Sequence, residues 1–295
     1  MSENKLSGEL VSFLSSDRLR LSGFLARPKI RSRKGIIYLH GLQGTFYRSN
    51  SMNVIAQESV RNGFNFLTIE LRGSYNLVGM TKKIGRKTRW VSEGGFIEKF
   101  EECVYDIDGA IKYLGSLGIN EIVLMGHSTG CQKIVYYQYK KKNRKVKALV
   151  LLAPGDDLNT QKSHSGRNFN KIIRHLKELY RSDKNAVVPY KYSKLAFSAR
   201  RFLSFSDLNF VESRIFNYEL QKLKEFGSVK VPVLAVFGSR DNYAVRPVKE
   251  YMRILEKNSG SKTFNYFIIK GADHGFDKRE KQLSECVVGW LKKTA

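Results

Sequence analysis

The chain has 295 residues, of which 42% are hydrophobic, and its excess of Lys and Arg over Asp and Glu gives a net charge of +25. This length can bury a large core, and no apolar run reaches the roughly 18 residues that a membrane span needs. The three cysteines, Cys103, Cys131 and Cys286, are widely spaced, which excludes a disulfide framework and a zinc pattern. The start also lacks the apolar core of a secretory signal, so these features predict a cytoplasmic protein.

The strong positive charge is compatible with three kinds of binding partner: a nucleic acid, an anionic membrane surface or an anionic substrate. The basic runs at residues 31–34, 82–89 and 140–145 are scattered along the chain, and no named nucleic-acid motif accompanies them. We therefore interpret the charge as a solvated surface without a specific nucleic-acid partner.

The first third of the chain shows strand and helix patterns in alternation. Residues 10–14 and 19–25 alternate apolar and polar side chains, which predicts an antiparallel hairpin with one solvated face. Continuous apolar runs at residues 35–39 and 64–69 predict two buried strands, and the segment between them, at about 50–62, predicts a helix.

A segment rich in Lys and Arg, residues 74–95, is predicted to be a loop. Within it, residues 79–88 (GMTKKIGRKT) loosely resemble a phosphate-binding P-loop, but the glycines enclose five residues instead of four and no predicted strand leads into them. Residues 97–114 repeat apolar side chains every three or four positions, which predicts an amphipathic helix. Its carboxylates, including Glu98 and Asp106, are interpreted as a solvated helix face.

The chemistry-bearing stretch is Glu121 to Gly130, read EIVLMGHSTG. Its first half predicts a buried strand, and residues 126–130 match G-x-S-x-G, the pattern of a nucleophile elbow. In such an elbow a strained turn between a strand and a helix exposes the serine hydroxyl, and flanking glycines are needed because the backbones approach closely. Residues 131–137 suit the following helix, so Ser128 is the predicted nucleophile.

The second half of the chain continues the alternation after an interruption. Residues 147–152 predict another buried strand, and the repeated strand–helix order predicts a mostly parallel sheet with helices on both faces. Residues 155–226 contain no convincing central strand and are predicted to be an inserted, mostly helical cap. Residues 1–154 and 227–295 would then form the core.

A serine nucleophile needs a base, and the base needs an orienting carboxylate. Of the five histidines, His274 lies in a Gly-x-x-His-Gly loop after the last predicted strand, residues 264–269, which makes it the predicted base. Asp241 follows the strand predicted at residues 231–237 and its Gly-Ser-Arg turn, and it is the favoured acid. Asp156 and Asp157 follow an earlier strand and remain competing candidates.

Hydrolysis through an acyl-enzyme also needs two backbone N–H groups that hold the oxyanion. One is predicted to come from Thr129, the residue after the nucleophile. The other is predicted to come from Leu42, which follows the His40-Gly41 turn after the third strand. This set of residues needs no metal and no organic cofactor.

The ordered set of motifs resembles an α/β-hydrolase over nearly the whole chain. The motifs that carry the resemblance are the His40-Gly41 turn, an ELRG at 70–73 where the family often has D-x-R-G, the GHSTG elbow, Asp241 after one strand and His274 after the last. The chain is most similar to serine aminopeptidase-like and monoacylglycerol lipase-like hydrolases that carry a helical cap. The longer string GHSTGCQ also resembles a fungal and plant group that includes siderophore esterases.

The resemblance implies an eight-stranded α/β-hydrolase sheet and hydrolysis of an ester, thioester or amide. We predict a serine carboxylesterase that acts on a small-molecule ester with an apolar acyl or alcohol group. The alternatives are a peptidase, aminopeptidase or thioesterase on the same triad, and a catalytically silent binding protein on the same fold.

Overall fold

The computed structural model describes residues 6–294. The strands are β1 (Glu9–Leu14), β2 (Arg20–Ala26), β3 (Lys34–Leu39), β4 (Asn65–Ile69), β5 (Val78–Ile84), β6 (Lys87–Glu93), β7 (Glu121–His127), β8 (Val146–Leu152), β9 (Val233–Gly238) and β10 (Phe264–Ile269). The helices are α1 (Asn50–Arg61), α2 (Cys103–Ser116), α3 (Thr129–Lys141), α4 (Asp157–Ser165), α5 (Phe169–Ser182), α6 (Ala199–Ser206), α7 (Val211–Ile215), α8 (Lys224–Gly227), α9 (Val248–Asn258) and α10 (Glu280–Thr294).

Eight of the strands within residues 6–294 form one sheet in the order β1-β2-β4-β3-β7-β8-β9-β10. The pairs β1–β2 and β2–β4 are antiparallel, and every pair from β4 to β10 is parallel. This confirms the predicted mostly parallel, eight-stranded sheet. The carboxyl ends of the parallel strands therefore meet at one edge, where loops can bring distant residues together.

The sheet forms because its central strands are apolar on both faces. Nearly every residue of β3, β4, β8 and β9 is buried, as expected for parallel strands covered by helices on each side. Helix α1 packs against α10, and α2 packs against α3, so two helix pairs cover the sheet. In contrast, β2 alternates buried and exposed side chains, which suits its antiparallel position near the sheet edge.

The loop predicted at 74–95 is wrong in its central part, because β5 and β6 form a separate antiparallel hairpin there. The turn falls at Gly85, whose φ of 61° suits the first position of a two-residue hairpin loop. Sequence patterning missed the hairpin because most of its side chains are basic or polar, so apolar residues do not mark the strand period.

The interpretation of the carboxylates around α2 as a solvated face is also wrong for two of them. Glu98 and Asp106 are both buried, and each is neutralised by a buried cation. Asp106 accepts hydrogen bonds from the Arg72 backbone at 2.9 Å and from its guanidinium at 2.8 Å. Charged residues are almost never fully buried unless paired, and these pairs satisfy that rule.

Residues 155–226 contribute helices α4 to α8 and carry their own apolar cluster. The buried members of this cluster are Ile172, Leu176, Val188, Phe197, Phe202, Leu203 and Phe205. The same segment also contributes Ile215, Phe216, Tyr218, Leu223 and Phe226 to the main core. None of the helices within residues 6–294 is long and apolar enough to cross a membrane.

Candidate active site

Ser128 occupies the tight turn between β7 and α3. Its backbone has φ 54° and ψ −127°, a conformation that non-glycine residues rarely adopt. Two hydrogen bonds hold the turn, from the Ser128 N–H to the Leu152 carbonyl at 2.9 Å and from the Cys131 N–H to the Ser128 carbonyl at 2.8 Å. Strain of this kind persists only where the surroundings enforce it, and it is common at catalytic residues.

Glycines surround Ser128 because no Cβ would fit. A Cβ on Gly126 would lie 2.4 Å from the Gly130 backbone, and one on Gly130 would lie 2.4 Å from the Leu39 carbonyl oxygen. A Cβ on Gly41 would lie 2.9 Å from the Cβ of Ser128 itself. The turn after β3 therefore lies directly against the elbow.

His274 and Asp241 lie together on the loops after two adjacent parallel strands, β10 and β9. Nδ1 of His274 is 2.9 Å and 3.0 Å from the two carboxylate oxygens of Asp241. The histidine side chain is 13% exposed and that of the aspartate 2%, so the pair is largely shielded but the ring remains accessible. The Tyr243 N–H also donates to the carboxylate at 2.9 Å, and its ring meets the His274 ring edge-on at 4.6 Å.

Asp156 and Asp157, the competing acids, have other partners. Asp156 caps α4 by accepting from the Asn159 N–H at 3.1 Å, and it accepts from the Tyr218 N–H at 2.9 Å. Asp157 accepts from Nε2 of Gln132 at 2.8 Å. Burial raises the pKa of both carboxyl groups. Asp156 therefore links parts of the 155–226 segment to one another, and Asp157 holds the start of that segment against α3.

The predicted oxyanion donors lie at two neighbouring positions. Thr129 is the first residue of α3, where backbone N–H groups have no intrahelical partner. Leu42 follows Gly41, which contacts Ser128. His40 fixes this turn, because its Nδ1–H donates to the Gly41 carbonyl at 2.8 Å and its Nε2 accepts from the Ser74 hydroxyl at 2.7 Å. Burial lowers the pKa of His40 to about 4, so the ring is neutral.

His127, inside the elbow motif, makes a contact that sequence reasoning missed. Its Nε2 lies 2.8 Å from the backbone carbonyl of His274, and the two rings lie 5.1 Å apart. Because a carbonyl can only accept, Nε2 carries the proton. Burial, helped by the nearby His274, lowers the pKa of His127 to about 4. The elbow and the loop of the predicted base are therefore directly connected.

A buried ionic cluster joins the core to the 155–226 segment. Glu98 accepts from Nζ of Lys133 on α3 at 2.5 Å, and Nε of Arg201 on α6 is 3.3 Å from the same carboxylate. Arg201 also pairs with Glu212 on α7. Burial alone would raise the pKa of Glu98, but Lys133 and Arg201 lower it to about 2.

The segment also contacts the turn that carries Leu42. The Leu42 side chain packs against the apolar cluster of the segment, and Nε2 of Gln43 donates to the Ala196 carbonyl at 3.1 Å. The aromatic side chains of that cluster therefore lie next to the turn that contacts Ser128.

The sheet order and the elbow between β7 and α3 define the α/β-hydrolase fold. Residues 94–292, more than half of the chain, match the family model described as "Protein of unknown function (DUF1749)", and the chain belongs to that family. A search of curated proteins found no match.

Solved structures share the fold at low sequence identity. A soluble variant of monoglyceride lipase from Saccharomyces cerevisiae, in complex with a substrate analog, has a TM-score of 0.71 at 13% identity over 100% of this chain and 98% of that one. The siderophore hydrolase EstB from Aspergillus fumigatus has a TM-score of 0.68 at 17% identity over 100% of both chains. Est1E from Butyrivibrio proteoclasticus, with bound ferulic acid, has a TM-score of 0.66 at 17% identity over 96% of this chain and 99% of that one. These similarities establish the α/β-hydrolase fold.

Proposed function

We propose that the protein is a serine carboxylesterase. The observation that carries the proposal is the contact of 2.9 Å between His274 Nδ1 and the Asp241 carboxylate, made beside a strained elbow that carries Ser128. A carboxylate on Nδ1 leaves Nε2 as the nitrogen that can take a proton from a serine hydroxyl. The neighbours that are a siderophore hydrolase and a monoglyceride lipase support this chemistry.

In the proposed reaction, the Ser128 Oγ forms a bond to the ester carbonyl carbon while its proton passes to His274 Nε2. The N–H groups of Leu42 and Thr129 stabilise the negative charge on the carbonyl oxygen. Collapse of this intermediate breaks the C–O bond, and His274 returns the proton to the departing alcohol. Water then attacks the acyl-enzyme by the same route, and the acid leaves. Asp241 orients His274 and stabilises its charged form.

The apolar cluster beside Leu42 supports an ester with an apolar acyl or alcohol group. We assign residues 155–226 as a cap over a core of residues 1–154 and 227–295, because this segment holds that cluster and touches the turn after β3. Binding sites for such groups are lined mainly by apolar and aromatic side chains.

The free thiols of Cys103, Cys131 and Cys286 support a cytoplasmic location.

A substrate panel tests the reaction class. Purified protein is offered p-nitrophenyl esters of increasing acyl length, aminoacyl p-nitroanilides and acyl thioesters. We expect the highest kcat/KM on esters, with a preference for acyl chains longer than acetyl. A clear preference for the anilides would establish a peptidase, and a preference for thioesters a thioesterase. No turnover of any of them would favour a binding protein on this fold.

A further inference from the structure

The β5–β6 hairpin carries a surface that the proposed reaction does not use. We define the hairpin surface as Lys83, Ile84, Arg86, Lys87, Arg89 and Trp90. All six are exposed and surround the half of the hairpin that contains the Gly85 turn. In the strand register Lys83 and Trp90 project from one face, and Ile84, Lys87 and Arg89 from the other. These residues lie in the basic segment whose sequence loosely resembles a P-loop. The segment forms a two-stranded hairpin and not the loop between a strand and a helix that binds phosphate.

The base of the hairpin is fixed to the core. Met80 and Val91, which pair across the two strands, pack against the main hydrophobic core. Nζ of Lys82 donates to Asp17 at 2.6 Å, and the Lys83 N–H donates to the Arg18 carbonyl at 3.0 Å. The hairpin surface is therefore held in one orientation.

The hairpin surface has an uncompensated positive charge. None of its four cations forms an ion pair with a carboxylate within residues 6–294. Lys82 and Arg89 face each other directly across the strands, and like charges in that position destabilise a hairpin. The nearby carboxylate of Asp17 is shared by Lys82 and the buried Arg72. An anionic partner would relieve this repulsion.

Each face of the hairpin also exposes one large apolar side chain. Trp90 is 77% exposed and Ile84 52% exposed. The Trp90 ring lies across Gly79, where an added Cβ would be 3.4 Å from it, so one ring face is supported and the other faces solvent. Tryptophan is the side chain that concentrates at the boundary between lipid and water, because its ring is apolar and its N–H is polar.

We propose that the hairpin surface docks on an anionic phospholipid membrane. With the Gly85 turn directed at the membrane, the four cations would bind lipid phosphates and carboxylates, while Trp90 on one face of the hairpin and Ile84 on the other enter the headgroup region. Lipid fits better than nucleic acid, because single strands are bound by several aromatic rings on which successive bases stack, whereas Trp90 is the one ring of the hairpin surface and Ile84 is aliphatic. The docking is independent of Ser128 chemistry.

Vesicle sedimentation tests the docking with the full chain. We expect binding to vesicles of phosphatidylcholine with 30% phosphatidylserine, little binding to pure phosphatidylcholine, and loss of binding at about 0.5 M salt, where the Debye length falls to a few Å. The quadruple variant K83Q/R86Q/K87Q/R89Q should bind the anionic vesicles at least about tenfold more weakly, given the usual contribution of each cation near such a surface. The matched control is K249Q/K257Q/K292Q/K293Q, which removes the same charge from exposed positions on α9 and α10.

Tryptophan fluorescence shows which surface meets the lipid. Trp290 is buried and donates to Asn265 at 2.8 Å, so Trp90 is the tryptophan that can respond. We expect its emission to move to shorter wavelength on anionic vesicles and to be quenched by brominated lipid, and both changes to vanish in Trp90→Phe. Equal vesicle binding by the quadruple and control variants would overturn the proposal. So would an unchanged Trp90 emission on bound vesicles, or binding of a uridine oligonucleotide that depends on the four cations when vesicle binding does not.

Discussion

The His127 ring donates a hydrogen bond of 2.8 Å from Nε2 to the backbone carbonyl of His274. The residue beside the proposed nucleophile therefore holds the loop of the proposed base. Because burial lowers the pKa of His127 to about 4, this donor stays neutral near pH 7. The contact gives His127 a positioning role that the elbow pattern does not specify.

Loss of this contact should affect turnover more than substrate binding. We expect His127→Phe to lower kcat about 10- to 100-fold with little change in KM, since a shift of about 1 Å in a catalytic group can have that effect. His127→Gln, which keeps an N–H donor, should recover part of the loss. Equal decreases in both variants, or a rise in KM alone, would contradict a positioning role.

The acid can be identified by three single substitutions. Asp241→Asn should lower kcat by about 10⁴, because an amide beside Nδ1 leaves the histidine in the wrong tautomer. Asp156→Asn and Asp157→Asn should lower kcat by tens at most, since their contacts lie with Asn159, Tyr218 and Gln132. Kinetics of the three variants, with circular dichroism as a check of folding, decide the point. An active Asp241→Asn beside an inactive Asp156→Asn or Asp157→Asn would move the acid to the loop after β8.

The ionic cluster between α3 and residues 155–226 should control stability. Arg201→Met removes the cation that pairs with buried Glu212 and Glu98, and we expect it to lower the free energy of unfolding by about 3–5 kcal/mol. The matched control is Lys162→Met, which breaks an exposed pair with Glu219 and should cost less than about 1 kcal/mol. Denaturant unfolding of both variants measures the difference. Similar losses would mean that the buried cluster does not hold residues 155–226 to the core.

Glu93, at the base of the hairpin, should make stability depend on pH. Burial raises its pKa to about 7, against about 4.3 in an unfolded chain. A carboxyl group with a raised pKa stabilises the fold fully below about pH 4.3, and this contribution is lost as the pH rises through 7.

Glu93→Gln should therefore raise the unfolding midpoint at pH 8.5 and leave it nearly unchanged at pH 4. Glu101→Gln, at an exposed glutamate, is the control and should change neither midpoint. Denaturant titrations at both pH values measure the effect. An equal shift of the Glu93→Gln midpoint at the two pH values would show that ionisation of Glu93 is not its cause.

The sequence was sufficient to predict the eight-stranded sheet, because its central strands are marked by apolar runs and its turns by glycine. The sequence also predicted Asp241 as the acid and His274 as the base, since both follow strands of one parallel sheet. Local patterns could not show that Glu98, Asp106 and Arg201 are buried, because the partners that neutralise them lie far away in the chain. The β5–β6 hairpin was missed for a related reason, because most of its side chains are basic or polar and, among the described residues, Met80 and Val91 are its apolar side chains that pack against the main core.

The nucleophile is tested most directly by labelling with a fluorophosphonate probe, followed by intact-mass and peptide analysis. We predict that the wild-type protein gains one phosphonyl adduct on Ser128. Ser128→Ala should gain none, lose about 10⁶ in kcat on p-nitrophenyl esters and keep its circular dichroism spectrum. Ser92→Ala, at an exposed serine on β6, should label and turn over like wild type. Loss of a true nucleophile would leave about 10⁻⁶ of wild-type turnover. An adduct on another residue, or a Ser128→Ala turnover above about one per cent of wild type, would show that Ser128 is not the nucleophile.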